Sequence, residues 1–321
     1  MKEKLALVPE GLNQTRSLWE GILFTLGLLI PMFFSAESLK LSLHLGKDTL
    51  VLAEPVLVRA QMTNLTGNEL LIDNIDMFGL VDGTFRLFVI TPYSDGEDWC
   101  LRLSYSIGYS PMSSLFFKLQ PGKSASQQWV LWWPQILPKN YREALEEIKP
   151  GGYKMYATYR VPDQSGFDRV TIYSDTADFV FQPLEEKNLS ALKQMDSIAY
   201  VFLAPASNAS YPRFERIRNT NTPYSESAWM MTTVMKMRDY DSLKAEKALF
   251  DKVYPQSQFA SVLMELQYDS YGHFLYMRDG IKAYPDDAEA DSLLRSAREI
   301  TPNTLYILKA RGEVELVSGM E

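Results

Sequence analysis

The 321-residue chain is poor in the residues that most chemistry needs: one cysteine, Cys100, and two histidines, His44 and His273. A lone cysteine excludes a disulfide framework within the chain, so the fold must rest on its apolar core. The same count excludes a Cys/His zinc centre. Cys100 reads as a buried thiol, because a free cysteine behaves as a small hydrophobe, with an intermolecular or reactive role as the alternative. Positive charge is short as well, 32 Lys and Arg against 40 Asp and Glu, for a net charge of -8. Without a clustered basic face the chain has no surface for a nucleic-acid backbone. What remains is ordinary for a globular protein, 46 % apolar and 22 % charged, and the length suits about two domains.

One apolar run stands out near the N-terminus. Gly21 to Phe34 carries no charge, Lys2, Lys4 and Arg16 precede it, and the small residues Ser35 and Ala36 follow. That order matches a secretory signal. Leu18 to Phe34 also reaches the lower limit of a membrane span, about 17 residues, so an uncleaved anchor is the second reading and a buried helix the third. Either of the first two makes residues 1–36 a signal or anchor and puts the rest of the chain outside the cytoplasm, with membrane association through residues 18–34 if the anchor is kept.

From 38 to 183 the apolar residues recur with period two. Leu39, Leu41, Leu43 and Leu45 alternate with polar residues, as do Val56, Val58, Ala60 and Met62. Phe85, Leu87 and Val89 continue the pattern, followed by Tyr153, Met155, Ala157, Tyr159 and Val161, then Ala177, Phe179 and Phe181. Such spacing predicts half-buried strands. Turn chemistry separates them at Asn64–Asn68, Asp82-Gly83, Ser94-Asp95-Gly96, Pro121-Gly122 and Pro150-Gly151-Gly152. Two packed antiparallel sheets follow, broken at most by a short helix over Tyr141–Ile148. Glu54-Pro55-Val56, Thr63-Asn64-Leu65-Thr66-Gly67, Leu119-Gln120-Pro121-Gly122-Lys123-Ser124 and Pro150-Gly151-Gly152-Tyr153 resemble the strands and turns of bacterial immunoglobulin-like sandwich domains. The resemblance implies a fold and no activity.

After the Gln182-Pro183-Leu184 junction the period lengthens to about 3.6. Phe259, Val262, Leu263 and Leu266 form one helical stripe, Ala290, Leu293, Leu294 and Ala297 another, and Phe274, Met277 and Ile281 a third. Thr301-Pro302 predicts a helix start. Tyr224, Tyr254 and Tyr284 fall at even intervals, and periods of this order mark helical arrays. The Tyr-Pro steps at Tyr254-Pro255 and Tyr284-Pro285 resemble divergent tetratricopeptide-like repeats of bacterial envelope proteins, which makes 184–321 an all-α, repeat-built domain. Such an array binds a peptide or helix on its concave side, or braces its neighbour.

No motif points to catalysis, a cofactor or a metal. His44 falls on the strand face opposite the leucines and reads as solvated, and His273 reads as helix surface. Gly122-Lys123-Ser124 lacks the earlier glycine of a phosphate loop, since Phe117 stands there. Asp73, Asp76 and Asp82 lack the alternating oxygen ligands of a calcium loop. Glu143, Glu146 and Glu147 read as the polar side of the short helix. The distinctive stretch is Trp129-Val130-Leu131-Trp132-Trp133-Pro134, where alternation puts Trp129, Leu131 and Trp133 on one face and Trp132 on the other. Trp129, Trp132 and Trp133, with Trp229 among the helices, are the candidate binding residues. The expectation is a non-enzymatic extracytoplasmic scaffold for protein–protein contact, with a carbohydrate- or cell-wall-binding module as the alternative and a hydrolase third. Exposure of Trp229, Met230 or Met231 on a concave helical surface would favour the scaffold; exposed aromatics on the sheets would favour the sugar-binding module.

Overall fold

The computed structural model describes residues 38–73, 85–90, 99–101, 115–131, 148–161, 170–199, 211–279, 287–300, 302–304, 307–308, 311–314 and 316–318. The N-terminal part is β-rich, with strands β1 (Leu39–Leu45), β2 (Thr49–Val51), β3 (Val56–Asn64), β4 (Leu70–Asp73), β5 (Phe85–Ile90), β6 (Trp99–Leu101), β7 (Leu115–Leu119), β8 (Ser124–Leu131), β9 (Gly151–Val161), β10 (Val170–Tyr173) and β11 (Ala177–Gln182). The C-terminal part carries helices α1 (Glu186–Ala199), α2 (Tyr211–Arg218), α3 (Ser225–Val234), α4 (Tyr240–Val253), α5 (Ala260–Asp279) and α6 (Ala288–Ile300), then a last strand, β12 (Leu316–Ser318). The helix over Tyr141–Ile148 lies outside the described residues, apart from the buried Ile148.

The strands form three sheets, ordered β1-β3-β8, β2-β11-β9-β5-β6 with β10 also on β9, and β12-β7-β4. Two expectations change here. Among the described residues the sheets number three, and they are not purely antiparallel, because β2 runs parallel to β11 through Thr49↔Val180 and Leu50↔Phe181. The chain leaves β1 and joins the other sheet within Gly46–Asp48, too short a segment for a periodic signal. Asp48 O accepts from Val180 N at 2.8 Å and seats the crossing.

The leucine and valine alternation puts Leu39, Leu41, Leu43, Val56, Val58, Ala60 and Met62 into the core. They share one apolar cluster with Phe85, Leu87, Met155, Tyr159 and Phe179 from the six-stranded sheet. Leu57, however, points the opposite way from Val56 and Val58 and is still only 5 % exposed. The reason is α5, which covers the outward side of β3 and β8. Leu57 N donates to Gln258 Oε1 at 3.0 Å just ahead of α5, and Ser261 Oγ donates to Gln128 Oε1 at 2.8 Å. Phe259 and Leu263 of the predicted stripe belong to the same apolar cluster as Leu41 and Tyr159. Strands β3 and β8 are therefore covered on both faces and form a layer between core and helix, while Lys40 and His44 stay exposed on the outward side of β1.

A polar seam reinforces this junction. Lys47 Nζ donates to Glu54 Oε1 at 2.8 Å and to Glu226 Oε2 at 3.1 Å, spanning from the β1–β2 crossing to the first turn of α3. Glu54 also accepts from Val51 N at 2.9 Å, and Glu226 accepts from Ser257 Oγ at 2.7 Å. Tyr224, buried ahead of α3, donates its hydroxyl to Leu52 O at 2.6 Å. Burial and the nearby Glu54 charge push the Tyr224 phenol above its ordinary range.

The all-helical reading of the C-terminal part is corrected at its end. Thr301 lies outside the described residues, Pro302 and Asn303 lie in a turn, and Thr304 bridges to Ser126 in parallel. Residues 307–308 are helical, with Leu308 N donating to Thr304 O at 2.9 Å, so the helix expected from Thr301-Pro302 begins later than predicted. Asn303 O accepts from Ser126 N at 2.8 Å, covering the free edge of β8. Further on, β12 returns to pair antiparallel with β7 through Leu316↔Phe117 and Ser318↔Leu115. A backbone that must satisfy an open strand edge outweighs a local helix signal. Tyr224 sits at the N-terminal cap of α3 whereas Tyr254 closes the C-terminus of α4, so the two are not equivalent positions of a repeat. Tyr284 lies outside the described residues.

Candidate binding surface

The four candidate tryptophans are not brought together. Trp129 is core, 7 % exposed and packed on Phe85 at 5.1 Å between ring centroids, which removes it as a surface contact. Its inward orientation follows the alternation, since Trp129 pairs with Val58 and Leu131 with Val56. Trp132 and Trp133 lie outside the described residues. Trp229 is half-buried on α3 and fully engaged. Its indole N–H donates to Glu246 at 2.8 Å, the Arg218 guanidinium lies 4.6 Å from its ring centroid, and Phe250 and Tyr254 pack edge-on. Arg218 also pairs with Glu246. Met230 and Met231 are buried, so the concave apolar surface expected on the helices is not formed by these residues.

An aromatic row lies elsewhere, on the outward face of the six-stranded sheet, with Phe88 and Tyr156 half-buried and Tyr173 exposed. Inward positions of β5 and β9 alternate with Phe88 and Tyr156, which oppose each other directly in the strand register. Their rings stack at 4.9 Å with planes 9° apart, and Tyr173 of β10 continues the row at 6.4 Å from Tyr156. Tyr173 is 65 % exposed, and Val180 on β11 is 44 % exposed on the same side. Solvated charges flank the row, with Lys154 and Asp178 paired at 2.9 Å and Arg160 exposed nearby. Beside that pair lies a shallow depression of about 430 Å³, lined among others by Asp48, Thr49, Gly152, Lys154, Asp178 and Val180. Gly152 supplies no side chain, and a Cβ there would meet nothing within 4 Å, which leaves the floor of the depression open.

This surface escaped the sequence reading because its signal is distributed. Phe88 sits between the core residues Leu87 and Val89, and Tyr156 between Met155 and Ala157, so each alone passes for a strand aromatic. Only the β5–β9 register, a non-local fact, makes them a pair. The stacking also decides what the row can offer. Phe88 and Tyr156 cover one another's faces, whereas a sugar platform needs open ring faces, which in this row only the tilted Tyr173 can offer.

Two of the remaining candidates lie in described structure. Gly122 adopts φ +69, and its N–H donates to Asn64 O at 3.0 Å, a tight turn in which Lys123 and Ser124 lead into β8. His44 is exposed, as the alternation implies. Asp76, Asp82, Glu143, Glu146 and Glu147 lie outside the described residues, as do the side chains of Asp73, Cys100 and His273. Among the described residues no group of three or more His, Cys, Asp or Glu is placed to hold a metal ion. None of the described helices is long and apolar enough to cross a membrane.

No protein-family model matches the chain, and no curated protein does. Solved structures give partial likenesses. A β-glucosidase from Listeria innocua aligns at 13 % identity and TM-score 0.25, over 44 % of this chain and 16 % of the enzyme. The CARDB domain of a Pyrococcus furiosus protein aligns at 12 % identity and TM-score 0.22, over 46 % of this chain and 94 % of that domain. The sporulation control protein Spo0M of Bacillus subtilis aligns at 15 % identity and TM-score 0.25, over 50 % and 56 % of the two chains. The chain spans about a sixth of the length of the β-glucosidase. Likenesses this distant carry no argument about fold or activity.

Proposed function

We propose that this chain is a non-enzymatic binding protein that meets a protein partner through the outward face of its six-stranded sheet. The observation that carries the reading is the row Phe88–Tyr156–Tyr173, with Tyr173 65 % exposed at its end. Exposed aromatic and aliphatic side chains rimmed by charges are what a protein contact uses, since tyrosine buries a large rigid area at low entropic cost. The mutually covered ring faces of Phe88 and Tyr156 argue against the carbohydrate- or cell-wall-binding alternative. In this reading the helices brace the β-part, because α5 and the seam around Lys47 spend their polar and apolar faces on it.

The same proposal takes the β1-β3-β8 and six-stranded sheets as the layers of a divergent immunoglobulin-like sandwich. It takes α3–α4 and α5–α6 as helix pairs of a divergent tetratricopeptide-like array, on the sequence resemblance of the Tyr254-Pro255 and Tyr284-Pro285 steps. It places the protein outside the cytoplasm on the strength of the apolar run Gly21–Phe34. The test is affinity capture of partners by the full chain and by a Tyr156→Ser/Tyr173→Ser variant with an unchanged circular-dichroism spectrum. Recovery of one protein by the wild type and its loss with the variant supports the reading. Recovery of glycan by the wild type, or of the same protein by both forms, overturns it.

A further inference from the structure

Glu265 stands on α5 one turn after Ser261, so the two side chains share a helix face. That face looks onto the outward side of β3 and β8, where Arg59 and Gln128 oppose each other in the register. Gln128 Oε1 is well used: Ser261 Oγ donates to it at 2.8 Å and Arg59 Nη2 at 3.3 Å. The other groups are not matched. Glu265 Oε1, Gln128 Nε2 and Arg59 Nε are each shut off from solvent without a hydrogen-bond partner among the described residues. One oxygen of the Glu265 carboxyl and two donors thus face one seam unmatched, while Thr304 and Gln128 stand close enough to the carboxyl to pull on it. A buried carboxylate in that state is penalised for its charge far more than for its neutral, protonated form.

We propose that this seam is a pH-responsive joint between the helical and β-rich parts, closed when Glu265 is protonated and locally opened to water when it ionises. From β3 the facing charge is Arg59; from β8 and from the segment after α6, the neutral Gln128 and Thr304 face it. Burial holds the Glu265 carboxyl above the usual carboxylate range, against the weaker opposing pull of Thr304, Gln128 and Arg59. The sign follows. A group whose native affinity for protons is raised stabilises the closed form fully below its ordinary range, and that contribution is lost as pH rises toward its native value. The joint is tight in acid and loosens toward neutrality. The contacts that would part first are Ser126 N–H to Asn303 O, next to Thr304, and Leu57 N–H to Gln258 Oε1, two turns before Glu265.

The experiment is residue-resolved hydrogen exchange on the full chain between about pH 4.5 and about pH 8, corrected for the intrinsic pH dependence of exchange. The amides of Ser126 and Leu57 report the joint, and that of Val180, bonded to Asp48 O at 2.8 Å, is the control. The account expects protection at Ser126 and Leu57 to fall about tenfold or more across the range with Val180 unchanged. Glu265→Gln, which keeps shape and removes the charge, should hold acid-like protection throughout. Constant protection at Ser126 and Leu57 in the wild type overturns the proposal, and so does a Glu265→Gln variant with the wild-type pH dependence. If that variant does not fold, direct titration of the Glu265 carboxyl by carbon NMR decides. A midpoint that tracks the loss of protection supports the joint, and one in the ordinary carboxylate range contradicts it.

Discussion

Lys47 and Glu226 face each other at 3.1 Å, one at the crossing between β1 and β2, the other in the first turn of α3. Lys47 also holds Glu54, whose side chain is only 6 % exposed. Burial alone would lower the Lys47 affinity for its proton, but Glu54 and Glu226 together raise it above the usual lysine value. Removing the ammonium takes a counter-charge away from a buried carboxylate. Lys47→Met should therefore cost about 2 kcal/mol, somewhat below the cost of breaking a fully buried pair because Lys47 is partly solvated. Denaturant unfolding of the two forms checks this. The difference should hold from neutral pH up to the ordinary lysine range and shrink as pH rises through the raised native value.

Gly46 and Gln258 approach each other across the same seam. A Cβ on Gly46 would stand 2.6 Å from Gln258 Oε1 and 2.8 Å from its Cβ, with Leu57 Cβ at 3.1 Å. Gln258 is held there by the Leu57 amide, so it cannot swing away without breaking that bond. Gly46→Ala should destabilise by about 1–3 kcal/mol, the usual cost of overpacking. Gln258→Gly alone removes the bond, and the double substitution should cost less than the sum of the two. A coupling energy of about 0.5 kcal/mol or more in a thermal-unfolding cycle is the expected result, and strict additivity would show that the two sites do not meet.

Tyr224 joins helix to sheet through a single hydroxyl. Its O–H to Leu52 O bond, 2.6 Å long, is part-buried, and Tyr224→Phe leaves the carbonyl without that donor. The expected loss is about 1–2 kcal/mol, read from the denaturation midpoint at neutral pH. Above the ordinary tyrosine range the wild type should lose stability as the buried phenol resists ionising. The variant lacks that group, so the gap between the two should narrow in alkali.

The division into strands and helices was legible because β1, β3, β9 and β11 keep a strict period of two and α5 and α6 a stripe near 3.6. Three features were not. The parallel β2 is three residues long, too short for any period. Leu57 did carry a signal, an apolar residue on the outward side of β3, but what covers it comes from Gln258 and α5, 201 positions later at the hydrogen bond. Trp229 looked like a candidate contact because the sequence around it hides Arg218 and Glu246, which reach it from α2 and α4. In the same way Phe88 and Tyr156 become a surface only through strand pairing. Local pattern reports which side of an element a residue takes; it does not report what lies on that side.

The outward face of the six-stranded sheet is tested most directly by site-specific photo-crosslinking of the full chain in the cells that make it. A photoreactive phenylalanine analogue at Tyr173 is compared with the same group at Leu249, which is 51 % exposed on α4 and remote in sequence from the sheet. The account predicts a discrete protein adduct from position 173 and none from position 249. An adduct from position 249 with none from position 173 would contradict it and move the contact surface to the helices.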